Sequence, residues 1–181
     1  DIYMHFDVIG LQESDTSKVE VMKVFTKPTA TRITKQRVAT RERIRDLIER
    51  MIENRQKLVE KVFAFRNDNV VRMPVAFAQL VKSVEGQLEL DETFTVDITP
   101  LETMDILDAN YKRMLNYSKN IPENPLFKIL YEFNLSPKEL LVKRRFNKKA
   151  IHMLMDVIFL KFKQAIVHPG EMVGVIAAQS V

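Results

Sequence analysis

Cysteine is absent from the 181-residue sequence. A chain without thiols can form no disulfide, no Cys-ligated zinc site and no iron–sulfur cluster, and it has no thiolate nucleophile. The three histidines, His5, His152 and His168, lie far apart in sequence, and none belongs to a His-Glu-x-x-His motif. We therefore expect no metal site and no cofactor site in this chain.

Glycine is also scarce: the chain has four, at positions 10, 86, 170 and 174. This spacing fits neither a phosphate-binding P-loop nor a dinucleotide-binding fingerprint. Ser180 lies in Ala-Gln-Ser-Val rather than in the Gly-x-Ser-x-Gly elbow of hydrolases. The carboxylates of residues 85–108 alternate with apolar residues and lack the close spacing of a metal-binding loop. The residues alone predict a non-catalytic domain.

The composition is that of a globular domain, with 46% hydrophobic and 29% charged residues. The length fits one domain, or two small ones, since domains contain roughly 100–200 residues. No apolar run reaches the roughly 18 residues that a membrane helix needs. A net charge of +4 favours anionic partners only weakly.

Apolar residues recur at helical spacing along most of the chain. Spacings of 3 and 4 predict a helix over residues 40–65, packed through Ile44, Leu47, Ile48, Met51 and Ile52. Further helices are predicted over residues 74–85, 100–119, 125–133, 137–145 and 148–166. Alternating residues predict a strand over 18–25, and residues 27–40 are predicted to be a loop. The predicted fold class is mainly α (formally α+β), a helical domain with a small β element near the N-terminus.

Charge is unevenly distributed along the chain. Residues 27–61 contain eleven basic and five acidic residues, and residues 138–163 contain eight basic and two acidic. Between them, residues 85–108 contain eight acidic residues and no basic one. Two interpretations remain open: the basic segments face nucleic acid or an acidic partner, or they pair with the acidic segment of the same chain. The densest group is a candidate basic surface of Lys143, Arg144, Arg145, Lys148 and Lys149.

The most specific pattern lies near the C-terminus. Residues 167–180 read Val-His-Pro-Gly-Glu-Met-Val-Gly-Val-Ile-Ala-Ala-Gln-Ser. They closely resemble a signature of the largest subunit of multisubunit DNA-dependent RNA polymerases, in its eukaryotic polymerase II form. The resemblance extends back over residues 145–150 and, more weakly, to 72–75, where Ala76 replaces an Asn of the family. The signature residues are His168, Pro169, Gly170, Glu171, Met172, Gly174, Ala177, Ala178, Gln179 and Ser180.

This resemblance implies a non-catalytic structural segment of a DNA-directed RNA polymerase, a nucleotidyltransferase. Residues 1–39 would form a leading strand and loop, 40–166 a helical foot-like domain, and 167–181 the start of the cleft at the base of the trigger loop. The family's magnesium-binding Asp motif and trigger-loop His are absent here, so no catalytic residue is carried over. Mg²⁺ and Zn²⁺ are implied only for the intact enzyme.

The resemblance also implies partners and a location. The partners would be other polymerase subunits, the rest of the parent subunit, and DNA and RNA in the intact complex, with no membrane. The location would be the nucleus, or a virion or viral factory if the source is a large DNA virus. The first residue is not Met and the last residues are apolar, so we expect a segment of a longer chain.

Two other hypotheses compete with the polymerase segment. One is a free-standing helical module that binds nucleic acid or protein through the basic clusters, and the other is a small hydrolase, for which no motif was found. Within the signature, Gly174, Ala177 and Ala178 are small enough to let backbones pack closely at the base of a mobile loop. Tight packing without any hinge function is the alternative interpretation of the same residues.

Overall fold

The chain is mainly helical in the part that the computed structural model describes, residues 2–8, 21–66, 70–172 and 174. Two π-helices accompany the α-helices: Leu58–Val62, which continues α3, and Lys138–Lys143, between α6 and α7. The α-helices of the described residues are α1 (Ile2–Phe6), α2 (Lys27–Lys35), α3 (Arg37–Lys57), α4 (Phe77–Gln87), α5 (Pro100–Tyr117), α6 (Pro125–Asn134) and α7 (Lys148–Ala165).

Side-chain caps fix the starts of the last three α-helices. At α5, the Thr99 hydroxyl accepts a hydrogen bond from the Glu102 backbone N–H, and the Glu102 carboxylate accepts one from the Thr99 N–H, both at 3.2 Å. Asn124 caps α6 and Asn147 caps α7. Each cap satisfies a backbone donor that has no partner inside its helix. The predicted helices 100–119, 125–133 and 148–166 are confirmed to within two residues at each end.

Two hydrophobic clusters hold the helices together. The larger one joins α4, α5, α6 and α7, and its centre includes the fully buried Met114, Leu154 and Ile158. The smaller one packs α1 against α3 through Phe6, Ile44 and Ile48. Helix α7 packs against both α4 and α5 and contributes five buried apolar side chains to the larger cluster, Ala150, Ile151, Leu154, Met155 and Ile158.

The predicted strand over residues 18–25 is wrong where the structure describes it. Residues 21–23 are helical, and the described β pairing there is an isolated parallel bridge between Phe25 and Val96. The Val96 N–H donates to the Val24 carbonyl at 2.9 Å. Val24, Phe25 and Val96 are buried, so these residues fill the core beside one bridge and form no sheet. Residues 18–20 lie outside the described part.

Two other predictions for the first third of the chain are corrected. Residues 27–40 are not a loop, because α2 begins at Lys27 and α3 at Arg37. Pro28 lies in the first turn of α2, where a backbone N–H would have no partner inside the helix, so its absence costs no hydrogen bond. Ile33 is buried in the core. Ile52 is not part of the packed face of α3: its side chain is 42% exposed, whereas Ile44, Leu47, Ile48 and Met51 are buried.

The remaining helix boundaries shift moderately. The helix predicted over 74–85 is observed as α4, starting at Phe77. The helix predicted over 40–65 begins earlier, at Arg37, and is π-helical from Leu58. The helix predicted over 137–145 is the π-helix Lys138–Lys143.

Candidate functional site: the charged surface and the C-terminal signature

Two members of the candidate basic surface are paired with acidic residues of the same chain. The Arg144 guanidinium contacts Glu85 of α4 at 2.5 Å and Glu139 of the second π-helix at 3.3 Å. Lys143 contacts the other oxygen of Glu139 at 3.1 Å. Arg144 and its two carboxylates are each less than a third exposed. The pairing therefore ties the start of α7 to the end of α4 and leaves little of the Arg144 charge for an external anion.

Glu139 responds to these two cations. Its burial alone would raise the pKa of the carboxyl group, but the hydrogen bonds and charges of Lys143 and Arg144 outweigh that effect and lower the pKa below its ordinary value. Glu139 therefore remains ionised at neutral pH and holds both basic side chains in place.

The other half of the candidate surface begins α7. The Lys148 backbone N–H donates to an Asp97 carboxylate oxygen at 2.9 Å, which places a negative charge at the N-terminus of the helix. The side chains of Lys148 and Lys149 are exposed and form no ion pair with any described residue. These two lysines are the members of the predicted surface that present their charge to solvent.

Arg145 has a strained backbone. Its φ angle is +56°, in the left-handed region that side-chain-bearing residues rarely adopt. Its Nε atom is buried and has no hydrogen-bond partner in the described structure. The next residue, Phe146, is fully buried. The strained turn at Arg145 therefore directly precedes an aromatic side chain of the core.

The acidic segment 85–108 pairs with both basic segments. Arg32 of α2 contacts Glu102 at 2.6 Å. Arg43 of α3 contacts Asp105 at 3.1 Å and Asp108 at 2.6 Å. On the other side, Glu85 contacts Arg144 and Asp97 bonds the start of α7. These contacts join the acidic segment to both basic segments within the chain, which supports the second of the two interpretations for the residues that are paired.

A cavity of about 300 Å³ lies between α3, α5 and α6. Its wall includes Glu132, whose carboxylate contacts Arg50 at 3.0 Å while its Oε2 atom is buried without a partner among the described residues. Burial raises the pKa of Glu132, and the nearby Arg50 and Lys128 only partly oppose that shift. Equal numbers of acidic and basic side chains line the cavity, so it has no preference for a charged ligand of either sign.

Two tyrosines of this region donate hydrogen bonds internally. The Tyr111 hydroxyl donates to Glu123 at 2.8 Å, and the Tyr131 hydroxyl donates to the Leu107 carbonyl at 2.7 Å. Burial raises the pKa of both hydroxyl groups well above their ordinary value, so both stay protonated. Protonated, hydrogen-bonded hydroxyls of this kind hold helices α5 and α6 together and are poor catalytic bases.

A second cavity, of about 430 Å³, is mainly apolar and lies where α7 ends. Its wall combines Met114 of α5, Phe127 of α6 and Phe162 of α7 with Val167, which follows α7.

No set of three acidic or histidine residues in the described part of the chain is arranged to bind a metal ion. None of the described helices is long and apolar enough to span a bilayer.

The signature follows α7 as an exposed turn. The Glu171 backbone N–H donates to the His168 carbonyl at 3.1 Å, and Gly170 takes a left-handed φ of +86°. Pro169, Met172 and Gly174 are also exposed. No described atom lies within 4 Å of the position that a Cβ would occupy on Gly174, and close packing at the signature stays a prediction for the assembled polymerase. Ala177, Ala178, Gln179 and Ser180 lie outside the described residues.

Fold and surface together define a helical domain in which several ion pairs join distant helices. A model of the family described as RNA polymerase Rpb1, domain 6, matches residues 5–165, most of the chain. The chain belongs to this family, and it is a structural segment of the largest subunit of a DNA-directed RNA polymerase. The match ends before residue 167, so it supports the same subunit as the signature but does so from different residues. It favours this assignment over a free-standing module.

The sequence analysis did not identify the ion pairs as pairs. The acidic and basic segments were visible, but the partners in the pair Glu85–Arg144 are 59 residues apart and those in Arg43–Asp108 are 65 apart. The packing of α3 against α5, and of α4 against α7, brings such residues together. Alternating blocks of opposite charge were the one available signal, and they left pairing within the chain as one of two open interpretations.

Proposed function

We propose that the chain supports the base of the trigger loop, with α7 as the supporting element. Helix α7 has 18 residues and is therefore about 27 Å long. Its Asn147 cap and its buried face fix it to the rest of the domain, and it leads directly into the exposed signature turn. The single observation that carries the proposal is this continuity between the best-anchored helix and the signature residues.

Contacts with α5 restrain the second half of α7. The Arg113 guanidinium lies 3.7 Å above the Phe159 ring and also contacts Asp156 at 3.3 Å. Tyr117 packs edge-on against the same ring, with centroids 5.8 Å apart. A helix clamped in this way transmits little motion along its axis, which is what the base of a mobile loop requires.

The test compares two equally buried isoleucines in the intact polymerase. Ile158→Ala loosens α7, whereas Ile44→Ala loosens α3 in the smaller cluster; both side chains are 0% exposed. Each change should cost about 2–5 kcal/mol of stability. We expect Ile158→Ala to slow single-nucleotide addition at saturating nucleotide several-fold more than Ile44→Ala does. Equal slowing by the two variants would contradict a specific role for α7.

We also propose that the chain acts in the nucleus or, if its source is a large DNA virus, in a virion or viral factory, within a polymerase of the polymerase II type. DNA and RNA would be partners of the whole complex. The Mg²⁺ and Zn²⁺ of the intact enzyme would be held elsewhere, because the described residues of this chain offer no fitting set of ligands.

A further inference from the structure

Exposed apolar side chains are concentrated where α3 ends. We call the π-helix Leu58–Val62 together with residues 63–66 the α3 tip. Val59 and Val62 are 43% and 45% exposed, and Phe65 is 72% exposed. The π-helix contains no buried residue. Three exposed apolar side chains within seven residues make this segment a candidate for a binding surface.

The backbone of the tip is ordered by hydrogen bonds and strained. The Phe63 N–H donates to the Leu58 carbonyl at 2.9 Å, and the Phe65 N–H donates to the Val59 carbonyl at 3.1 Å. Ala64 and Phe65 have φ angles of +46° and +61°, which are unfavourable for residues with a Cβ and most of all for a bulky one. Strain of this kind, next to a π-helix, is characteristic of functional positions.

The charge around the tip is positive. Residues 55–66 contain four basic residues and one acidic residue, Glu60. The Glu60 carboxylate accepts a hydrogen bond from Gln56 at 3.0 Å. Arg55, Lys57 and Lys61 form no ion pair with any described residue. Arg43 and Arg50, earlier in α3, are paired with carboxylates, and the end of the helix is an apolar surface with unpaired basic side chains beside it.

We propose that the α3 tip docks into an apolar pocket rimmed by carboxylates on another protein surface of the polymerase. Two observations select this occupant. The aliphatic side chains of Val59 and Val62 match an apolar pocket and offer nothing to phosphate groups, while the basic side chains beside them complement carboxylates. The chain is a segment of one subunit of a multisubunit enzyme, so such a surface is available in its assembled state. The proposal deepens the subunit-contacting role and does not depend on α7.

The first test is site-specific photo-cross-linking in the assembled polymerase. A photoreactive residue replaces Phe65 in one preparation and Val38, which is 71% exposed near the start of α3, in the other. We expect a protein adduct from position 65 at a yield at least fivefold above that from position 38, mapped beside acidic residues of the partner surface. Equal yields, an adduct with nucleic acid, or an adduct with a second copy of this chain would overturn the proposal.

A second test separates docking from folding. Asn adopts the left-handed conformation more readily than Phe or Ala, so Phe65→Asn and Ala64→Asn should both preserve the turn. Only Phe65→Asn removes the largest apolar group of the tip. With the photoreactive residue at position 59, we expect Phe65→Asn to lower the adduct yield at least fivefold and Ala64→Asn to leave it unchanged. Equal loss in both variants, or loss in neither, would show that the Phe65 side chain does not dock.

The outcome is independent of the test of α7. Nucleotide addition reports on α7, the helix that leads to the signature. Cross-linking reports on the tip of a different helix, α3. A failure of the tip to cross-link leaves the role of α7 standing, and an unaltered rate of nucleotide addition in the α7 variant leaves the docking proposal standing.

Discussion

Arg144 is the side chain that joins three parts of the chain. Arg144 lies four residues before the start of α7. Its side chain contacts Glu85 at the end of α4 and Glu139 in the second π-helix. Its own side chain is 23% exposed, so water screens these pairs less than it screens an ion pair on the open surface. A residue that the sequence suggested for anion binding is thus used for internal cohesion.

Arg144→Ala should lower the free energy of unfolding of the chain by about 1–3 kcal/mol, because two partly buried carboxylates lose their partner. Arg43→Ala is the matched control, since its partners Asp105 and Asp108 are 62% and 56% exposed. The control should lose about 0.2–1 kcal/mol. Urea denaturation followed by circular dichroism measures both values. Equal losses would mean that the partial burial around Arg144 has no energetic effect.

The pH dependence of stability should distinguish two glutamates whose pKa values shift in opposite directions from 4.5. The lowered pKa of Glu139 contributes stability that is present above pH 4.5 and lost as the pH falls through the folded-state value. The raised pKa of Glu132 contributes stability that is present below pH 4.5 and lost as the pH rises through its folded-state value.

We therefore expect opposite trends for two conservative variants. Relative to the parent chain, Glu139→Gln should be most destabilised at neutral pH and should approach the parent as the pH falls. The free energy of unfolding of Glu132→Gln should increase relative to that of the parent as the pH rises above the ordinary pKa of glutamate. Unfolding free energies measured from about pH 3 to about pH 7, across the ordinary carboxyl range, test both trends. Parallel curves for the two variants would contradict the assigned shifts.

Among the elements, helix α3 has one buried face and one face exposed to solvent. The side chains of Ile44, Ile48 and Met51 are buried against α1 and the core, whereas Ile52, one residue beyond Met51, points away from that face and is 42% exposed. Because successive residues are rotated by about 100° along an α-helix, an apolar residue just outside the stripe is exposed even when its neighbour is buried.

Ile48→Ala should therefore lower the free energy of unfolding by about 2–5 kcal/mol, as for other large-to-small changes in a core. Ile52→Ala, four residues further along the same helix, should cost less than about 1 kcal/mol, because little burial is lost. Both values follow from chemical denaturation of the chain. A loss below about 0.5 kcal/mol for Ile48→Ala, the size of an ordinary surface effect, would mean that this face is not packed in solution.

The sequence predicted correctly those helices whose starts are fixed by capping residues close by in the chain. Thr99 with Glu102, Asn124 and Asn147 cap their helices within three residues, so their side chains reveal the starts of α5, α6 and α7 without tertiary information. Helix α2 was missed because its threonines and Pro28 are weak helix formers, and its stability comes from burying Thr29 and Ile33. The strand was predicted wrongly because alternating valines also suit an irregular segment that fills a core.

The candidate site was predictable in composition but not in arrangement. The five basic residues of the candidate surface were identified, yet only the fold separates the paired Lys143 and Arg144 from the exposed Lys148 and Lys149. The α3 tip had no local signal, because the helical spacing of its apolar residues predicts an ordinary helix and not a π-helix followed by two left-handed residues.

On the scale of the whole molecule, the alternating charge blocks bring distant helices together. The acidic residues of 85–108 pair with Arg32 and Arg43 on one side and with Arg144 on the other. The hydrophobic clusters supply most of the cohesion, and the ion pairs fix which helix faces which. Exposed features of the described residues include the α3 tip, Lys148 and Lys149, and the signature turn.

The chain is a structural part of a polymerase, and we expect it to perform no nucleotide transfer by itself. The most direct measurement is template-directed extension of a labelled primer by the purified chain with Mg²⁺ and the four nucleotides, beside the intact polymerase that contains it. The account predicts extension by the intact enzyme and none above the no-protein control by the chain alone. Specific, template-dependent incorporation by the purified chain would contradict it.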